Sequence, residues 1–451
     1  MFMREQDFVA KEWGHEEIFL NVESGNYCCK RLVLNPGRRS SIHVHADKHE
    51  TFIVEFGRVY VLASKTHPST WPDLLEHGQI LVPGDILVIE PGTWHVFWTD
   101  TPSSFFEVST FDDQRDSQRF FMSGSIRDPE WIPYGQLWRR TPAGLNLLVV
   151  GDFMLDDYID LTAGGAAQEA ALTKYKTRGE SVLPGGAAHV AALLAARGAN
   201  VTAVGLVGGD WAGKQLCSLL ESINVDTSLL CVHEDSQTLL RARFMDGDRI
   251  VNRVDSDHHI SGDLISFALE EQLKANDGKE MYDAAFICDH GYGAMSDHML
   301  GVVRASSKLL CVDPAPGGDW NKYAPGPLQG VLLKANDLEA RRALQDANGQ
   351  PAQWESDFTI KAFTSASRVT WSMLGKEHDQ YVSSGAINLP GVNESAGRVT
   401  DVVGAGDEFF VMLALDLLCN VDAERAVRGA FEDCRRRVQH ARRERWPWIA
   451  R

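Results

Sequence analysis

Several things are missing from this chain of 451 residues. No apolar run reaches the roughly 20 residues that a bilayer-spanning helix takes. Basic side chains are outnumbered: 44 Lys and Arg against 62 Asp and Glu leave a formal charge of -18, which disfavours non-specific binding to nucleic acid. The cysteines Cys28, Cys29, Cys217, Cys231, Cys288, Cys311, Cys419 and Cys434 fall at no zinc-type spacing, and most sit in apolar stretches where a reduced thiol behaves as a small hydrophobe. Residues 1–6 are polar, unlike a secretory signal, and no repeat or low-complexity segment stands out. These absences lead us to expect a cytoplasmic enzyme acting on small molecules, with no nucleic-acid or membrane partner, working as a homodimer.

What is present divides in two. The length exceeds one ordinary core and suits domains of about 120 and 300 residues. Up to residue 112 short β-rich runs alternate with turns, as in Gln79 to Val88. Residues 113–144 lose that periodicity and collect Pro, Gly, Trp and Arg, so they are expected to be a connector, partly packed through Trp131, Ile132 and Trp138. From residue 145 strands interleave with helical periods: a strand at 146–150, a helix at 187–197, a strand at 201–207, a helix at 297–306 and a strand at 309–312. That alternation predicts an α/β domain over 145–451 with a mostly parallel sheet and crossover helices. Residues 236–254, with a turn at Asp246-Gly247-Asp248, are expected to add lid strands.

The most informative run is Val399-Thr400-Asp401-Val402-Val403-Gly404-Ala405-Gly406-Asp407-Glu408-Phe409. Gly404 and Gly406 permit backbone angles closed to other residues, and the apolar stretch 409–419 reads as a buried helix whose first free N–H groups would meet an anion. In that place the N–H groups of Gly404, Ala405 and Gly406 can hold developing negative charge, while Asp407 takes a proton from an attacking hydroxyl. The alternative is a tight strand-to-helix turn with an acidic cap.

This run resembles the Asp-Thr-x-Gly-Ala-Gly-Asp-x-Phe signature of the ribokinase and phosphofructokinase-B (PfkB) sugar kinases, with Val402 in place of Thr. Further matches follow in family order: Gly151-Asp152-Phe153-Met154-Leu155-Asp156, Pro184-Gly185-Gly186-Ala187-Ala188-His189, Arg253-Val254-Asp255, Val312-Asp313-Pro314 and Asn336-Asp337-Leu338-Glu339. The wording is most similar to that of kinases of heptose 7-phosphate. The resemblance implies that Asp152, Asp156, Gly185 and Gly186 line a sugar site, that Arg241, Arg243 or Arg253 meets a substrate phosphate, and that Asp407 is the base. It also implies that Asn336 and Glu339 organise Mg²⁺ and the phosphates of ATP, with Thr370 and Gly375 on the nucleotide side. Three departures stand out. His189 replaces a sugar-contacting Asn, Trp371-Ser372 replaces the start of a glycine-containing turn, and the tail 430–447 reads as an exposed basic helix where the family covers adenine.

Near the other end, Gly37, His43, His45, Glu50 and Gly57 fit the pattern G-x5-H-x-H-x4-E-x6-G, and Gly84, Pro91, Gly92 and His95 supply a second motif. On a strand, His43 and His45 project to one face, which Glu50 and His95 can reach from neighbouring strands. Three imidazoles and a carboxylate suit Zn²⁺, Mn²⁺, Fe²⁺ or Ni²⁺ with positions left open. Residues 10–112 resemble a cupin barrel. The run Lys11 to Glu16, with Lys30 and Arg31, is similar to cupin-type mannose-6-phosphate isomerases. That resemblance implies a metal-dependent isomerase or epimerase of sugar phosphates, for which Glu55 and His49 are candidate bases. Two alternatives stay open: a cupin that only senses sugar or dimerises, and a kinase half reduced to a binding scaffold.

Overall fold

The computed structural model describes residues 7–73, 79–99, 102–126, 142–166, 173–247, 249–256, 258–278, 281–316, 320–323, 329–336, 358–365, 368–374, 381–388, 404–419 and 423–437. The chain forms two compact units. One comprises Met1–Gly144 with Leu415–Asp433, the other Leu145–Ala414 with Cys434–Arg451.

The first unit is built from two antiparallel sheets. Six strands lie in the order Asp7–Lys11, Gly14–Val22, Tyr27–Leu34, Ser103–Ser109, Glu50–Phe56, Ile86–Ile89. The second sheet runs from Ser117–Phe121 through Ile42–His45, Trp94–Thr99 and Arg38–Arg39 to Gly124–Ser125, with Val59–Ser64 and Gln79–Leu81 joined on. Alternation decides which face is inside: along Tyr27–Leu34, Cys28, Lys30, Leu32 and Leu34 are buried. Leu32, Leu34, Phe52 and Phe105 from one sheet pack with Val59, Val61 and Phe97 from the other, so the sheets face each other across a shared core.

Two expectations change here. Residues 117–121 and 124–125 are not connector: they pair with His45 to Ile42 and with Arg39 and Arg38, completing the second sheet. Trp131, Ile132 and Trp138 lie outside the described residues. The described part of the tail is not an exposed helix: Ala423–Arg437 is helical and buries Ala423, Ala426, Val427, Ala430, Phe431 and Cys434, while residues 438–447 lie outside the described residues. Their three- and four-residue spacing makes one apolar stripe, which the flanking arginines hid in the sequence. Within the first unit the Arg58 guanidinium forks onto Asp416, both fully buried, and Arg425 bridges Asp85 and the carbonyl of Ile80.

The second unit has a nine-stranded sheet. Its order is Val225–His233, Asn200–Gly208, Asn146–Gly151, Tyr282–Cys288, Ser307–Asp313, Gln329–Asn336, Phe358–Ser365, Arg368–Leu374, Tyr381–Asn388. The first seven run parallel; Arg368–Leu374 runs antiparallel to them and Tyr381–Asn388 antiparallel to it in turn. The run Val-Val-rich Asn146–Gly151, buried on both faces, lies where the order reverses, which is where open α/β sheets leave a crevice at their carboxyl ends. A separate four-stranded sheet, Thr173–Gly186, Phe153–Ala166, Leu239–Asp246, Arg249–Ser256, contains the strands expected as a lid. The last two strands occupy the expected lid segment. The two long ones at 153–166 and 173–186 were not foreseen, because their charged, alternating faces carry no apolar run.

Candidate functional site

Asp407 stands in the first turn of the helix Ala405–Leu418, whose interior from Phe409 to Leu415 is wholly buried. Gly404 precedes it at φ 78°, a left-handed angle, and a Cβ there would fall 2.3 Å from the ring of His189. Glycine is therefore required on both counts. His189 Nδ1 lies 2.8 Å from Asp407 Oδ2. Burial alone would push the Asp407 carboxyl up, but the hydrogen bond and charge of His189, with the Lys334 ammonium, outweigh it and hold the group down at about 2. Lys334 is itself buried, paired at 2.9 Å with Asp313, and its Nζ lies 3.2 Å from where a Gly406 Cβ would be. Burial raises Asp313 above the usual carboxylate range in spite of that ammonium.

The carboxyl ends of the parallel strands gather the rest. Asp152 follows Asn146–Gly151 and is fully buried, accepting from the backbone N–H groups of His290 at 2.7 Å, Tyr292 at 3.2 Å and Ala294 at 3.3 Å. Its carboxylate thus fixes the turn after Tyr282–Cys288. In that turn Asp289 takes Lys322 at 2.8 Å and the Tyr323 hydroxyl at 2.6 Å. Burial, and then the Asp289 charge, raise Asp152 above its ordinary range. Gly186 opens the helix Ala187–Ala196 at φ 54°, where a Cβ would meet the Asp152 carbonyl at 2.6 Å. On the lid, Asp156 pairs with buried Arg243 at 2.8 Å, and a Gly185 Cβ would fall 2.9 Å from the Asp156 carboxyl carbon. Arg243 also lies over the Tyr158 ring. Arg253 is half-exposed and forks onto Asp255, which Arg241 approaches at 3.9 Å.

Of the residues expected to meet the nucleotide, Asn336 ends the strand Gln329–Asn336, two residues beyond Lys334. Thr370 lies on the strand Arg368–Leu374. Glu339, Gly375 and the run 399–403, with Val402, lie outside the described residues. Lys334 was missed by sequence reasoning, and a lysine inside the otherwise apolar Val331-Leu332-Leu333-Lys334-Ala335 was the available signal.

A family model of pfkB family carbohydrate kinases matches residues 145–432, more than half of the chain. The chain belongs to the pfkB family of carbohydrate kinases. The protein named bifunctional protein HldE of Campylobacter fetus subsp. fetus is 26% identical over 295 residues, covering 63% of this chain and 60% of that protein. HldE of Hydrogenovibrio crunogenus is 28% identical over 305 residues, covering 64% and 58%. This chain therefore spans about three-fifths of the length of these curated relatives. A carbohydrate kinase from Agrobacterium tumefaciens has a related structure at 17% identity and a TM-score of 0.48, over 66% of this chain and 92% of that one.

The pfkB chain carries a second cluster in its first unit. His43 and His45 sit on Ile42–His45 and His95 on Trp94–Thr99, with His95 opposite His43, and their ligand atoms come within 4.8 Å of one another. His43 Nδ1 meets the carbonyl of Ser41 at 2.9 Å and His95 Nδ1 that of Thr93 at 3.1 Å, which leaves each Nε2 for the centre. Burial, and then the neighbouring His95, lower His43 and keep it in the neutral form that binds metal. Glu50 Oε2 lies 3.3 Å from His95 Nε2, and both are buried atoms without a hydrogen-bond partner among the described residues. That orphaned donor set fits a divalent cation.

The cluster opens into a cavity of about 300 Å³ also lined by Glu16, Lys30, Lys48, Glu107 and Asp112. Lys48 Nζ reaches Glu50 at 3.0 Å, Glu107 at 2.6 Å and Asp112 at 3.0 Å, while Lys30 takes the same Glu107 at 3.2 Å and Asp112 at 3.0 Å. The two acids and two lysines close a ring of alternating charge behind Glu50. Of the residues weighed as bases or phosphate contacts, only Lys30 lines this cavity. Glu55 is held by Arg31 at 2.6 Å and Ser104 at 2.9 Å, and His49 is exposed.

Proposed function

We propose that the second unit transfers the γ-phosphate of ATP to a hydroxyl of a sugar or sugar phosphate, with heptose 7-phosphate as the favoured acceptor. The placement of Asp407 supports this reading most directly: a carboxylate in the first turn of a buried helix, behind a left-handed glycine, at the carboxyl ends of the parallel strands. In the step proposed, Asp407 takes the acceptor's hydroxyl proton, the oxygen forms a bond to the γ-phosphorus, and the bond to ADP breaks. The N–H groups of Gly404, Ala405 and Gly406 stabilise charge on the transferring group, and Lys334 adds a fixed positive charge beside them. Asp156, Gly185 and His189 line the acceptor site. Arg243 is tied to Asp156 and Arg253 to Asp255; Arg253, the half-exposed one, is the candidate to exchange its carboxylate for a substrate phosphate. Asp152 holds the turn 290–294 that shapes the site. Asn336 would hold Mg²⁺, which when bound neutralises phosphate charge, with Glu339 its expected companion and Thr370 and Gly375 on the nucleotide side.

In the same reading the first unit is a metal-dependent cupin that isomerises or epimerises a sugar phosphate of the same route to nucleotide sugars. His43, His45, His95 and Glu50 would hold Zn²⁺, Mn²⁺, Fe²⁺ or Ni²⁺, which polarises a substrate carbonyl or hydroxyl. Glu16, inside the cavity, replaces Glu55 and His49 as the candidate to move the proton.

Two measurements test this. ATP consumption with Mg²⁺ across sugars and sugar phosphates should single out one acceptor, and Asp407→Asn should lower turnover by about 10² to 10⁴; an unchanged rate in that variant removes the kinase assignment. Metal analysis should find about one divalent transition ion per chain, lost in His95→Ala. Equal metal content in the two proteins ends the cupin reading.

A further inference from the structure

His189 was expected to touch the sugar. Its observed partner is the base instead. His189 is the third residue of the helix Ala187–Ala196, and its Nδ1 lies 2.8 Å from Asp407 Oδ2. The two side chains are 12% and 20% exposed, so the contact is sheltered yet reachable from the crevice. Gly404 makes the approach possible, since any β-carbon there would overlap the imidazole. The other groups facing Asp407 come from separate elements: Lys334 and Asp313 from neighbouring parallel strands, Cys288 at the end of Tyr282–Cys288, and His290 in the turn beyond it.

We propose that His189 is a positioning residue for phosphoryl transfer: it fixes the Asp407 carboxylate through Oδ2 and so turns Oδ1 toward the acceptor hydroxyl. This rests on Asp407 being the base. An imidazolium on Oδ2 stabilises the charged carboxylate and weakens it as a base, whereas a neutral imidazole only orients it. In either form, loss of the contact should lower kcat rather than weaken ATP binding. No new bond is involved. The acceptor O–H breaks toward Asp407 Oδ1, the O–P bond forms, and ADP leaves as before. Lys334, Asp313 and His290 act on Asp407 in wild type and variant alike, so they do not remove the contrast.

The experiment uses the full chain and has two parts. With ATP, Mg²⁺ and heptose 7-phosphate, kcat and KM are measured for wild type, His189→Leu, His189→Asn and Asp407→Asn. His189→Leu, which cannot hydrogen-bond the carboxylate, should lower kcat by about tenfold with KM for ATP unchanged. His189→Asn, whose amide can still meet Oδ2, should recover most of that loss, and Asp407→Asn should be nearly inactive. A kcat of His189→Leu equal to that of wild type overturns the proposal while leaving the base intact. An active Asp407→Asn overturns the base assignment and this proposal with it. The second part needs no acceptor: the ring nitrogen signals of His189 are compared by NMR in wild type and in Asp407→Asn. They should move when the carboxylate is removed. Unmoved signals would mean that the pair does not form, whatever the kinetics show.

Discussion

Asp157, one residue after Asp156, shows what a carboxylate costs without a partner. It is 6% exposed on the lid strand Phe153–Ala166, and its Oδ1 is buried with no hydrogen bond among the described residues. Burial first, and the charge of Glu180 second, raise its pKa from 3.8 to about 6. The sign follows directly. Because the folded form holds its proton more tightly, Asp157 is neutral and harmless below about pH 4 and becomes progressively destabilising as pH rises through 6. Asp157→Asn should therefore be more stable than wild type above pH 6, by up to about 3 kcal/mol, with the difference vanishing near about pH 4. Urea denaturation at three pH values would show it. A difference that does not depend on pH would mean that the aspartate finds a partner in solution.

The helices and strands were unequally legible. Ala187–Ala196, Asp297–Ser306 and Asn146–Gly151 could be read to within a residue or so, because a 3.6-residue or continuous apolar pattern coincided with burial. Ala423–Arg437 misled because its stripe is made of alanine, valine, one phenylalanine and one cysteine between arginines. Pairing across sequence distance left no mark at all. His189 with Asp407 and Arg58 with Asp416 join residues 218 and 358 positions apart. The histidine cluster was legible because most of it is local, two histidines on one strand and a carboxylate five residues on, with His95 supplied by a second glycine-marked motif. The ring of Lys30, Lys48, Glu107 and Asp112 behind it was not. The Arg58 and Asp416 pair makes a sharp prediction for the helix Ala405–Leu418. Asp416→Ala strands a buried guanidinium and should cost about 3 to 5 kcal/mol, whereas Arg58→Met with Asp416→Leu should fall near wild type. Melting curves of the three proteins decide it. A mild Asp416→Ala would show that water reaches the guanidinium.

The expected boundary at residue 145 treats everything after it as kinase, yet Leu415–Asp433 group with the first unit. The consequence concerns the whole chain. A cut at Gly144 divides the first unit, removing from residues 1–144 the Asp416 carboxylate that meets Arg58 and the Arg425 guanidinium that meets Asp85. It also removes the apolar stripe of Ala423–Arg437, whose Gly429 lies close enough to Val82 that a Cβ would come within 3.0 Å. Fragment 1–144 should therefore aggregate, or melt at least about 5 °C below the full chain's first transition. Supplying 145–451 in trans should recover part of the loss, since the missing groups return with it. The two sites of this chain would then be linked by folding even if they share no chemistry. A fragment 1–144 that is monodisperse, melts with the full chain and keeps its metal would show that the first unit does not need residues 415–433, and that the expected boundary was the right one.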